Sequence, residues 1–318
     1  MAGTYSYTSL DEKKYDAGYG YAINDSNQVA GSHHSKNSQV GFVWSNGTFQ
    51  QVPDGKIVNL TAINDSGLAA GQFVTKGNIY VGLTFNSATS QTTTLNLGIK
   101  SKDSVTVSAI NAGGTVAGSF YTKKFVYTGF TVNGSTVTQL SYPHAKETRA
   151  FGLNDSGTVV GIYFSGAVGD TVYGFSYSGG SYTPLASPSC TEATFPLFIT
   201  NGGLIGGECE ASGASVGFTL SGSTYSFYTY PGAVFTQLLG AGPGGELIGD
   251  WNSGGESPWQ GFIYLGGTYY PINVPGATTT LISAINASGS LTGTYTDSAN
   301  AQHAFIATCP AAQMPCTQ

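Results

Sequence analysis

Arg149 is the single arginine among the 318 residues, two positions after Glu147 in the run Glu147-Thr148-Arg149-Ala150. A guanidinium holds its donors in a planar fork, so beside phenol or amide groups it suits a carboxylate or another planar anion. The competing use of that fork is an ion pair with Glu147 or Glu192. His144 lies just upstream, in Tyr142-Pro143-His144-Ala145. With Arg149 and either Tyr19 or Tyr21 it would form the set that removes a proton next to a carboxylate, as in uronate-cleaving lyases. The arginine would neutralise the acid while the histidine or tyrosine moves protons. A second constellation, His33 with Glu208 and Asp250, offers a divalent ion an imidazole and carboxylates. No HxH, HExxH or CxxC spacing accompanies it, and the neighbours His33 and His34 would point to opposite faces of a strand. Glu208 and Asp250 are equally candidates for direct ligand contact, and no cofactor beyond such an ion is expected. The third candidate is the stretch Gly249-Asp250-Trp251-Asn252-Ser253-Gly254-Gly255-Glu256-Ser257-Pro258-Trp259, which holds two of the three tryptophans. Aromatic faces flanked by carboxylates suit a sugar ring. Trp251 aligns with Phe73, Phe120, Tyr163 and Tyr295, which points to packing, so Trp259 in the loop is the binding candidate.

These residues are positioned by a repeat. Ala22-Ile23-Asn24-Asp25-Ser26-Asn27-Gln28-Val29-Ala30-Gly31 returns as Ala62-Ile63-Asn64-Asp65-Ser66-Gly67-Leu68-Ala69-Ala70-Gly71. Further copies end at Gly118, Gly161 and Gly293, and two worn ones at Gly207 and Gly249, so the closing glycines recur every 40–47 residues. Each unit reads as four short strands. One precedes the Asn-x-Ser-Gly turn, a second follows it, a third carries Gly41-Phe42 or its equivalents up to Ala304-Phe305, and a fourth resembles Thr268–Val274. Asn and Gly accept the positive φ that tight hairpins require. The repeated Asp25, Asp65 and Asp155 read as turn formers bonding amides two residues on.

Four antiparallel strands in each of seven near-equal units predict an all-β chain, a seven-bladed β-propeller with four-stranded blades, as one domain over 1–318. The last unit stops after its third strand, whereas the N-terminus begins with an orphan fourth strand, residues 4–10. That strand is therefore expected to pair beside residues 302–308, completing the last blade and closing the ring. Four cysteines, an even number, suit an oxidising compartment. Cys190 and Cys209 fall where they could meet, and Cys309 and Cys316 could close a loop in the tail 309–318. The chain opens without a signal peptide, and Met1 is taken as a start that replaces one.

The pattern Ile-Asn-Asp-Ser-Gly-x-Val-x-Gly, followed in the last unit by His303-Ala304-Phe305 and accompanied by Val274-Pro275-Gly276-Ala277, resembles the bacterial extracellular HAF-repeat family. The resemblance covers essentially the whole chain. It implies secretion, or a periplasmic location, and a propeller-like fold. His303 is the motif histidine only in the last unit, because the other six lack it.

Only 9% of residues are charged, against 46 Gly, 20 Tyr and 17 Phe, as expected of short strands and tight turns. The net charge of −6 and the absence of a basic stripe argue against nucleic acid. No apolar run approaches the ~18 residues of a membrane span. A monomer is expected. In a propeller, successive connections alternate between two rims. All eleven basic residues and all four histidines fall on the rim of the fourth-to-first and second-to-third connections or at its edge, whereas Asp25, Asp65, Asp155 and Glu246 fall on the other. The position four residues before the repeat's Ile or Leu varies from unit to unit: Tyr19, Asn59, Thr106, Arg149, Phe195, Gln237 and Leu281. Taken as a rung facing the channel, it makes Arg149, Asn59, Gln237 and Phe195 ligand contacts. The reading that follows is a propeller binding an anionic small molecule or acidic glycan at its loop-rich mouth. Its rivals are an enzyme there, a lyase of acidic polysaccharide or a metal-assisted hydrolase, and a structural protein-interaction module.

Overall fold

The computed structural model describes residues 4–36, 38–53, 57–166, 171–255, 257–310 and 316. Every regular element among them is a β-strand, and the 28 strands form seven antiparallel four-strand sheets. Sheets 1 to 6 span 17–51, 57–94, 104–140, 147–185, 193–228 and 235–271, and sheet 7 joins 279–308 to Ser6–Ser9. Single parallel pairs, Val172 with Ala193 and Ser215 with Phe235, link sheets 4, 5 and 6 edge to edge. Each sheet packs on the next, and sheet 7 packs on sheet 1, so the chain runs around a circle with the first strand of every sheet innermost.

Closure follows the expected register, although the pairing strand is Ser6–Ser9 rather than the whole of 4–10. Ser6 lies opposite Thr308 and Ser9 opposite Phe305. Tyr5 donates its hydroxyl to the Gly289 carbonyl at 2.9 Å, and the Leu10 amide donates to Ala304 at 2.8 Å. His303, stacked on Tyr295, sets its Nδ1 3.0 Å from the Asp11 carboxylate, so the motif histidine ties the N-terminal segment to sheet 7. Both disulfides form as expected, Cys190–Cys209 and Cys309–Cys316, the second packed with Tyr5 in the core of sheet 7. They are consistent with a secreted or periplasmic protein. The expected tail residues 311–315 and 317–318, and Lys56 among the cations, lie outside the described residues.

The repeat's asparagine bonds two ways with one amide. Asn24, Asn64, Asn111, Asn154 and Asn286 each accept, through Oδ1, the amide four residues on at 2.9–3.1 Å. Their Nδ2 atoms donate at 2.8–3.3 Å to the carbonyls of Asn64, Asn111, Asn154, Thr200 and, across the seam, Asn24. Only an amide side chain offers both a donor and an acceptor at this length, which is why the position is asparagine. The aspartates do not hold their own turns as expected. Oδ1 of Asp25, Asp65 and Asp155 instead accepts the amides of Ala287, Asp25 and Ala112, each in the preceding sheet. The reason is that Asn Oδ1 already serves the turn, leaving the aspartate free to reach across. In sheet 5 the Thr200 hydroxyl accepts the Leu204 amide in place of asparagine. In sheet 6, where Gly242 has no side chain, the buried Glu246 carboxylate accepts the Gly244 amide at 2.8 Å. Among the described residues no such bond crosses from Thr200 or Gly242 to the next sheet.

Every pairing of a first with a second strand carries a bulge at the same place. The closing glycines sit against it. A Cβ at Gly31, Gly71, Gly118, Gly161, Gly207, Gly249 or Gly293 would stand 1.9–2.2 Å from a backbone carbonyl oxygen of the first strand. Opposite these glycines the third-strand rings Phe42, Phe130, Phe175, Phe218, Phe262 and Phe305 are fully buried in six of the sheets, and Leu83 takes the place in sheet 2. The recurring glycine therefore records close backbone approach, with a Phe ring also within about 3 Å at Gly31, Gly118, Gly249 and Gly293.

Candidate functional site

A cavity of about 560 Å³ lies on the axis, lined by all seven sheets, and it opens among the turns that carry Asn24, Asn64, Asn111, Asn201 and Asn286. That is the turn rim rather than the loop rim expected to hold the site. Its amides and carboxylates are largely occupied in the inter-sheet bonds above.

The variable rung does not form the expected funnel. Tyr19 bonds Gln302, Asn59 bonds Gln39, and the Arg149 guanidinium lies over the Tyr127 ring at 3.7 Å, each partner being in the preceding sheet. A radial sheet aims its side chains at the neighbouring sheets, so a rung on the innermost strand faces sideways. Gln237 and Phe195, half-buried, stand opposite Asp250 and Glu208 in the strand register. Arg149 forms the ion pair anticipated with Glu147, Nη2 to Oε2 at 3.1 Å.

The lyase set is not assembled. His144 is exposed at a turn tip with φ 63°, whereas Tyr19 and Tyr21 stack on one another in sheet 1, beside His34 and Ser32. Burial pushes the Tyr21 phenol up, the wrong direction for a base. The metal set is equally dispersed. His33, buried between Tyr15 and Phe42, has its Nε2 2.7 Å from the Leu10 carbonyl, and burial pushes its pKa down. Asp250 accepts the Ile282 amide at 3.3 Å between sheets 6 and 7, and burial pushes its carboxyl up to about 7. That role matches the Ser119 hydroxyl, which accepts the Ala150 amide at the junction of sheets 3 and 4. Burial likewise pushes Glu208 up. Among the described residues no three His, Cys, Asp or Glu side chains converge as ion ligands. Trp251 stacks on Tyr230 at 4.3 Å, as packing predicts, and Trp259 is half-buried with its ring centroid 6.3 Å from Phe235.

A different part of the loop rim has the features of a binding site. A cleft of about 450 Å³ between sheets 2 and 3 is lined by Tyr80, Lys102, Ser104, Tyr121, Lys123 and Phe125. Its walls are two matched turns. The Thr75 amide bonds Ile79 and the Asn78 amide bonds Thr75, and in the next sheet Thr122 bonds Val126 and Phe125 bonds Thr122. The same turn recurs at Asp297 to Ala301. Its fourth residue is left-handed each time: Asn78 with φ 56°, Asn300 with 65° and Phe125 with 57°. Asparagine adopts that conformation readily; a bulky aromatic residue does not, at a cost of about 1–2 kcal/mol. Phe125 is also 64% exposed, its ring held by stacking on Tyr121 at 5.8 Å. Tyr80, across the cleft, is 37% exposed. Lys76, Lys100, Lys102, Lys123 and Lys124 gather in these loops, all exposed, and among the described residues none of them forms an ion pair. The sequence carried one signal for this site: a phenylalanine where the matching turns have asparagine, beside five of the eleven cations.

No protein-family model matches the chain, and no curated protein matches it. Solved structures do. The β-propeller domain of the Trilobed protease from Pyrococcus furiosus, described as having an open velcro topology, has TM-score 0.60 at 9% identity over 96% of this chain and 95% of that one. YCF48 bound to D1 peptide has TM-score 0.58 at 10% identity over 98% of each. Pyrococcus horikoshii acylaminoacyl peptidase has TM-score 0.61 at 9% identity over 93% of this chain, which spans about half, 52%, of that one. At these identities the likeness is one of fold, and the fold is a β-propeller.

Proposed function

We propose that this chain is a secreted, seven-bladed propeller that binds an anionic, ring-bearing ligand, a small acid or an acidic glycan, in the cleft of Tyr80, Phe125, Lys102 and Lys123. Each four-strand sheet is one blade, the last completed by Ser6–Ser9. The observation that carries the binding reading is Phe125, a large ring kept exposed in a left-handed backbone where asparagine serves elsewhere. Strain of this kind persists where it has a use. The exposed faces of Phe125 and Tyr80 give the C–H face of a sugar ring an apolar surface, and unpaired lysines supply the counter-charge. Its volume of about 450 Å³ is within the usual range for a small-molecule site. Bacterial extracellular residence is supported by the two disulfides and by the repeat's resemblance.

The test is calorimetric titration with oligogalacturonates and with neutral oligosaccharides of equal length. Binding is expected for the acidic series alone, weakening as salt rises. Replacing Lys102 and Lys123 together by alanine should lower affinity roughly tenfold, about 1.4 kcal/mol. Equal binding of the neutral series, or an affinity indifferent to the double substitution, would remove the basis for an anionic ligand.

A further inference from the structure

We infer that the ligand is polymeric: a linear acidic polysaccharide with one acidic group over Lys102 and Lys123 and a later one at Arg149. This rests on the reading of the cleft given above. From Phe125 the rings continue as a ladder along the loop rim, through Tyr121 at 5.8 Å and on to Tyr127 at 4.8 Å. Arg149 of sheet 4 closes it, its guanidinium 3.7 Å above Tyr127 and 5.3 Å from Phe164. That guanidinium is anchored but not used up. Nε is buried and takes no part, but Glu147 engages only Nη2, and the side chain is 32% exposed. A fork with five donors and one charged partner retains capacity for a second carboxylate. Glu147 opposes that approach, but Lys123 and Lys124 in the neighbouring loop outnumber it.

Arg149 lies outside the cleft lining, separated from the lining residue Tyr121 by the Tyr127 ring. A single uronic acid in the cleft does not reach it. A chain laid along the rim does, and its binding gains from the second contact without a second full loss of translational freedom.

Titration of the intact protein with galacturonate monomer, dimer and hexamer separates the cases. Wild-type affinity should rise with chain length. Arg149→Ala should weaken the hexamer about tenfold and leave the monomer unchanged, and Arg149→Lys should recover part of the loss. The thermal midpoint of each variant, set against its hexamer affinity, separates loss of the contact from loss of the fold. Hexamer binding no tighter than monomer, or an Arg149→Ala effect equal at every length, would overturn the polymer reading while sparing the cleft. Failure of the wild type to bind any of the three would overturn both.

Discussion

Alanine at Gly293 is expected to destabilise the folded chain by about 3 kcal/mol, the upper part of the usual range for overpacking. Its Cβ would stand 1.9 Å from the Leu281 carbonyl oxygen and 3.0 Å from the Phe305 ring. Neither neighbour yields cheaply: the carbonyl belongs to a bulged strand pairing and the ring is fully buried. Alanine at Gly134, with φ 57° and nothing within 4 Å, carries only the left-handed penalty of about 1 kcal/mol. Urea unfolding of the two variants side by side measures the difference. Equal losses would mean that the approach to the Leu281 carbonyl and the Phe305 ring costs no more than a left-handed backbone, against a packing role for the repeat's glycine.

Asn286→Ala should cost about 3–5 kcal/mol, because one buried side chain serves both its own turn and the seam of the ring. Its Oδ1 accepts the amides of Ser288 and Ser290 at 3.0 and 2.9 Å, and its Nδ2 donates to the Asn24 carbonyl and to Asn27 Oδ1, both at 2.8 Å. Asn286→Asp separates the two duties. The carboxylate keeps the turn acceptor but turns an oxygen toward two oxygens of sheet 1. Aspartate is therefore expected to be nearly as damaging as alanine, with faster amide exchange in Ser6–Ser9 and Ala17–Ile23. Wild-type stability in the aspartate variant would show that the turn alone matters.

Much of this architecture could be read from the chain. The turn Asn24-Asp25-Ser26, its copies and the orphan N-terminal strand dictate how many sheets there are and which two ends must meet. The alternation of connections also sorts Lys102 and Lys123 from Asp65 correctly, since it depends only on strand count. What failed was orientation. Spacing along the innermost strand cannot say whether Arg149 faces the axis or a neighbour, and radial sheets with a bulge in every first strand make it the neighbour. Asp250 and His33 looked like ion ligands because sequence shows a charge but not its burial. Phe125 escaped notice because the left-handed angle that makes it odd belongs to the backbone, and only the asparagines of matching turns betray it.

In Phe125→Asn, stability and binding should move in opposite directions. Asparagine, already used at Asn78 and Asn300, relieves the left-handed strain and removes an exposed ring, so the unfolding free energy should rise by up to about 1 kcal/mol. In the same sample, affinity for an acidic oligosaccharide should fall at least roughly tenfold, since the stacking face is gone. A variant that is more stable and binds as tightly as before would contradict the account, leaving the ring without a part in recognition.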